Sequence, residues 1–284
     1  MDNRISQKLA EPAFEFAEQD KWRSVLADNL KQFGSLQAAL YGGLQSATPG
    51  MAFLHGYQCA IRCLDADCPA ETLAAFAVSE SGVKNPKDLA TALTQEKQGW
   101  QLDGQKSHVM LLPDLLDDLY LVVKQEGRLV GVKTSTNTQG ITVTKQLQAP
   151  FVSDIPHAAI SLQQVCLTDE ALLAEDGHAQ WNKPFRYWED MHVAAAMLGW
   201  MYRQAGQNGE LLTYWQQLEQ AFSESPEYYA EQSFDLLDSV SAALDVAAEE
   251  LDQACLAMWK RDRMLLVMGS NIRSRVKARV MGGK

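Results

Sequence analysis

The sequence lacks a basic excess: 25 lysines and arginines face 36 aspartates and glutamates over 284 residues, a formal net charge of −11. Nucleic acid and anionic membrane surfaces both demand a cationic footprint, so neither is expected as a partner. Long hydrophobic runs are lacking as well. No stretch approaches the length of a membrane-spanning helix, and the charged opening, residues 1 to 11, has no signal-peptide pattern. A soluble, cytoplasmic protein without membrane insertion is expected. No phosphate loop of the Gly-x-x-x-x-Gly-Lys kind is present. Cysteine is scarce and odd in number: Cys59, Cys63, Cys68, Cys166 and Cys255, which fits a reducing compartment. The first three cluster near His55. They lack a Cys-x-x-Cys knuckle and follow an apolar helical pattern, so packed thiols are expected there and no metal.

What is present is a 46% hydrophobic chain, enough to bury a sizeable core. The first seventy or so residues carry helical periodicity. Trp22, Val25, Leu26, Leu30 and Phe33 share one face, with Asp20 as cap and Gly34 as stop; Ser35 opens a second helix; Pro49-Gly50 breaks it; Met51 to Leu64 forms a third. From Leu73 to Ala77 the run is apolar and short, and beyond it the period shortens to two. Trp100–Leu102, Tyr120–Val123, Leu129–Val132, Ile141–Val143 and Ile155–Val165 read as strands, with Asp103-Gly104 as a hairpin turn between two of them. No helix-length apolar period separates the strands, so an antiparallel barrel or sandwich is expected, not a βαβ sheet. After Pro184 the helical period returns. Tyr187, Met191, Ala194, Ala195, Leu198 and Tyr202 share a face. A second helix runs near Glu210 to Phe222, Pro226 suits the first turn of a third that reaches Cys255, and a fourth covers Trp259 to Val280. The tryptophans of the C-terminal half, at helical spacing, read as core or subunit interface. The fold class is therefore α+β multidomain, with N-terminal helices (1–72), a central β-domain (73–178) and a C-terminal helical bundle (179–284).

Four segments in order resemble the acyl-CoA dehydrogenase family. Phe76-Ala77-Val78-Ser79-Glu80-Ser81-Gly82 is similar to its Phe-Ala-Leu/Val-Thr-Glu-Pro-Gly segment. Gly99-Trp100-Gln101-Leu102-Asp103-Gly104-Gln105-Lys106 resembles Gly-Tyr-x-Leu-Asn-Gly-x-Lys. Leu119 to Lys124 resembles Ala-Asp-x-x-Leu-Val-Val, and Glu189 to Gly199 resembles Glu-Arg-x-x-x-Ala-x-x-x-Leu-Gly. The resemblance implies flavin adenine dinucleotide (FAD) as cofactor, with Phe76, Val78, Ser79, His108 and Met110 at the positions that face the flavin. It also implies an acyl-thioester or related small molecule as substrate, a homodimer or homotetramer, and an electron-transfer partner for the active enzyme.

The implied reaction removes a proton from Cα of the acyl-thioester while hydride leaves Cβ for the flavin. That needs a partly desolvated carboxylate base. The resemblance puts Glu189 in that role, with its neighbour Asp190 where the family has arginine and as a second carboxylate able to raise its pKa. The chain also departs from the pattern. His108 replaces an aromatic residue beside the flavin, and Met110 replaces a threonine that hydrogen-bonds flavin N5. Gly82-Val83-Lys84-Asn85-Pro86 replaces a run of small residues that permits close backbone approach. The alternative reading is a non-catalytic relative that keeps the fold for binding or assembly.

Overall fold

A computed structural model describes residues 3–281, so Met1 and Asp2 of the charged opening lie outside it. The described chain divides into two compact units. One comprises residues up to Ala66, Pro150–Asp154 and everything from Tyr187; the other comprises Asp67–Ala149 and Ile155–Arg186.

The first unit is helical: α1 (Asn3–Ala10), α2 (Gln19–Gln32), α3 (Ser35–Leu44), α4 (Pro49–Leu64), α5 (Lys183–Gln204, whose first residues belong to the other unit), α6 (Gly209–Glu224), α7 (Glu231–Ala247), α8 (Gln253–Asp262) and α9 (Met264–Met281). Pro49 does not merely end α3. It occupies the first turn of α4, where its missing N–H costs nothing, and Thr48 caps that helix by accepting from the Met51 N–H at 3.1 Å. Small residues set how closely the helices approach. A Cβ on Gly43 would sit 1.9 Å from the Ala196 carbonyl oxygen, and one on Gly199 would sit 2.2 Å from that of Leu40. Backbones of α3 and α5 therefore touch, and residues 191–202 of α5 are buried throughout. Trp200 and Trp259 stack at 6.1 Å within this core.

Sequence periodicity misplaces three boundaries here. Glu18, not Asp20, is the residue that precedes α2. Pro226 lies before α7, not in its first turn, and its carbonyl accepts from the Trp188 indole at 2.8 Å. The long third helix also breaks. The Asp252 side chain accepts from the Cys255 N–H at 2.8 Å and starts α8 afresh, since a capping carboxylate competes with helix continuation.

The second unit is one eight-stranded sheet: β1 (Ala74–Ala77), β2 (Ala92–Gln95), β3 (Trp100–Met110), β4 (Asp118–Gln125), β5 (Arg128–Ser135), β6 (Ile141–Leu147), β7 (His157–Leu167) and β8 (Leu172–Ala174), ordered β6-β7-β3-β2-β4-β5-β8 with β1 beside β4. Most pairings are antiparallel, as expected. The β1–β4 and β2–β4 pairings are parallel, and the sheet is open, with β6 and β8 at its ends. Asp103-Gly104 is not a turn. Strand β3 runs through it, with a register shift against β7 between Leu102 and Gly104. Gly104 adopts φ +148°, a conformation open to glycine, and a Cβ there would meet Thr91 at 2.6 Å; the Asp103 carboxylate accepts from the Gln164 N–H at 2.8 Å. The turn between β2 and β3 falls instead at Gly99, with φ +79°.

Candidate functional site

Strand β1 ends at Ala77, so regular pairing no longer positions Val78, Ser79 and Glu80. Each is tied individually. The Lys106 ammonium, on β3, donates to the Val78 carbonyl at 3.2 Å. The Ser107 N–H donates to the Ser79 carbonyl at 2.8 Å. The Glu80 carboxylate accepts from Lys106 at 2.8 Å, from the Ala90 N–H at 2.6 Å, and from the Thr91 N–H and hydroxyl at 3.1 and 2.6 Å. Lys106 completes its three donors with the Val122 carbonyl of β4 at 2.8 Å.

The Glu80–Lys106 pair is sealed from solvent, with side-chain exposures of 3% and 0%. Burying two charges costs several kcal/mol per ion unless partners are complete, and here they are. Burial by itself would raise the Glu80 carboxyl, but hydrogen bonds from Lys106, Thr91 and Ala90 hold it below its ordinary value. Burial lowers the Lys106 ammonium from its ordinary value, with Glu80 pulling the other way. Both residues stood in the two recognised motifs without being singled out. The available signal was period two: Leu102 and Lys106 fall on the same, inward side of β3, and a lysine there requires a carboxylate.

A second shift, between Lys106 and Val109, places an extra residue on β3 opposite β7. Such a bulge re-aims the side chains it carries. His108 is exposed here, its Nδ1 3.1 Å from the Ser107 hydroxyl, and Ser79 is exposed too. The Ser107 N–H bond to the Ser79 carbonyl ties the segment that carries Ser79 to the strand that carries His108. The other residues at flavin-facing positions are placed differently. Met110 is buried, paired in register with His157. Val78 is half-buried. The Phe76 ring packs against Phe185 at 4.6 Å and Trp181 at 6.3 Å within the same unit.

Glu189 belongs to the helical unit, half-buried on α5. Its neighbour Asp190 does not act on it as an uncompensated charge. Asp190 is buried, 3.5 Å from the Arg273 guanidinium of α9, and accepts from the Tyr229 hydroxyl. His192, one turn on, is fully buried: Nδ1 lies 2.6 Å from the Trp188 carbonyl and Nε2 lies 2.9 Å from the Ser35 hydroxyl. It is a packed residue, as its helical position predicts. Cys59 and Cys63 lie on α4, where burial pushes their thiols up to about 12 and about 11. Among the described residues no group of three or more His, Cys, Asp or Glu is placed to hold a metal ion.

No family model matches the chain, and no curated protein is similar to it in sequence. Solved structures are similar in fold. A structure described as PigA with FAD and proline superposes with a TM-score of 0.72 at 16% identity, covering 98% of this chain and 91% of that one. The prolyl acyl carrier protein oxidase AnaB gives 0.70 at 15% identity, covering 99% and 94%. Butyryl-CoA dehydrogenase from Megasphaera elsdenii gives 0.65 at 12% identity, covering 87% and 81%. The chain has the α+β fold of these proteins, an acyl-CoA dehydrogenase-like fold.

Proposed function

We propose that the chain is a FAD-binding oxidoreductase of the acyl-CoA dehydrogenase kind, acting on an acyl-thioester. The observation that carries this reading is the exposed Ser79, its segment bonded to the strand that carries exposed His108 and its flanking residues tied to a sealed ion pair, in a chain whose fold is that of butyryl-CoA dehydrogenase and FAD-complexed PigA. A serine hydroxyl and an imidazole are donors that fit the carbonyl- and nitrogen-rich edge of a flavin ring, and imidazole can also stack on it. When bound, FAD supplies the acceptor for the hydride from Cβ. Ser79 and the Val78 backbone bind and orient its polar edge and His108 stacks on the ring, while the Phe76 ring packs on Phe185 and Trp181 and Met110 is buried. Glu189 takes the proton from Cα, and its half-burial suits a carboxylate base that must be partly desolvated.

Assembly as a homodimer or homotetramer belongs to this reading. It is supported by Met264, Met268 and Ile272, exposed at four-residue spacing along α9. Sedimentation as a monomer rejects it. An electron-transfer partner for reoxidation and a cytoplasmic location also belong to it; among the described residues no helix is long and apolar enough to cross a membrane.

The test is direct. Purified protein titrated with FAD acquires flavin absorbance bands, and an acyl-thioester bleaches them. Glu189→Gln abolishes bleaching while leaving FAD uptake intact. The second reading, a binding or assembly protein without flavin, is favoured by buried Met110, which offers no donor. Protein that stays colourless under excess FAD selects it.

A further inference from the structure

We infer that Glu80 and Lys106 form a positioning clamp that presents Ser79 to the cofactor, a role that rests on the FAD reading above. The backbone needs such a device where it sits. Regular strand structure stops at Ala77, and Gly82 follows with φ +78°, a conformation that lets the chain turn freely. Between those two points, only individual bonds fix where Ser79 lies.

Lys106 supplies two of them, one to the Val78 carbonyl on one side of Ser79 and one to the Glu80 carboxylate on the other. Its third bond, to the Val122 carbonyl, anchors the ammonium to the middle of β4. Glu80 is in turn fastened to Ala90 and Thr91, just before β2. Ser79 is thus held at both flanks from a buried point while its own side chain stays outside. Neither charged group reaches the surface, so neither touches a cofactor. They act through the residue between them.

A structural ion pair and a positioning clamp make different predictions. A single Lys106→Met change strands a buried carboxylate and lowers stability. The double change Glu80→Gln/Lys106→Met removes both charges and restores most of it. If the pair only stabilises the fold, FAD binding recovers together with stability. As a clamp, it does not recover: the Val78 carbonyl has lost its donor in both variants.

The experiment follows three quantities in wild-type protein and the double variant: thermal melting, amide hydrogen exchange over residues 78–81 without added flavin, and FAD affinity with the visible circular dichroism of bound flavin. The expected result is near wild-type melting, faster exchange in 78–81, altered flavin dichroism and FAD binding roughly tenfold weaker, the size of one charge-assisted hydrogen bond. Wild-type affinity and dichroism in the double variant overturn the clamp and leave the function standing. Wild-type protein that takes up no FAD overturns the function, and the clamp with it. Should the double variant fail to fold, Thr91→Val decides. It keeps both charges but removes one anchor of Glu80, and is expected to weaken FAD binding less, in the same direction; unchanged binding counts against the clamp.

Discussion

The two units bury polar groups in opposite ways. In the sheet unit the deepest polar groups are charged and fully partnered, Lys106 with three acceptors and Glu80 with four bonds. In the helical unit the deepest titratable groups include two neutral imidazoles, His55 and His192, both at 0% exposure. His192 is hydrogen-bonded through both nitrogens, whereas His55 has the Gly42 backbone beside it. The difference teaches where each unit is vulnerable. A partnered ion pair fixes geometry and fails when one member is removed. A buried neutral imidazole tolerates neutral pH and fails when protons are supplied.

The sharpest way to break the comparison is Lys106→Met. Leaving Glu80 buried without its cation is expected to cost roughly 3–5 kcal/mol in a denaturant titration. A loss well under 1 kcal/mol would mean water reaches the carboxylate.

Acid is the corresponding test of the helical unit. Burial lowers both His55 and His192 from 6.5 to about 4, opposed by the Gly42 backbone in one case and the Trp188 carbonyl in the other. Between those values the unfolded chain binds the protons that the folded chain refuses. Their contribution is therefore fully present above 6.5 and is lost as pH falls toward 4, at most roughly 3 kcal/mol for each. Replacing His55 with Gln should flatten the stability-against-pH slope in that window by about one proton; an unaltered slope would show that His55 is solvated.

Gly43→Ala probes the α3–α5 approach, where the new Cβ would have to displace the Ala196 backbone. A loss of roughly 1–3 kcal/mol in thermal or chemical denaturation is expected. The smallest effect, about 1 kcal/mol, is expected for Asp252→Ala, which removes the cap that starts α8.

Legibility in the sequence followed range. Helices α2, α3, α4, α5 and α6 and strands β4 and β5 were visible because their apolar spacing is a local property. Strands β2 and β8, of four and three residues, were not, since so short a run carries no period of its own. Asp103-Gly104 misled for a related reason. The dipeptide has the backbone freedom of a turn, but the close approach of Thr91 and the bond to Gln164 use that freedom for a kink inside a strand. At the candidate site, the motif residues Ser79 and His108 were legible as positions. That both are exposed and joined through Ser107 depends on a bulge produced by pairing with β7.

By itself the sequence determined the order of helical, strand-rich and helical segments, the acidic surface charge and the residues that resemble a flavin-facing segment. These depend on composition, periodicity and short motifs, all carried by neighbours along the chain. Tertiary structure alone decided that helices from both ends share one unit, that the sheet is open and partly parallel, and that Glu80 and Lys106 meet in its interior. Those outcomes turn on contacts between residues far apart in sequence, where burial and hydrogen-bond completion, rather than local propensity, select the partner.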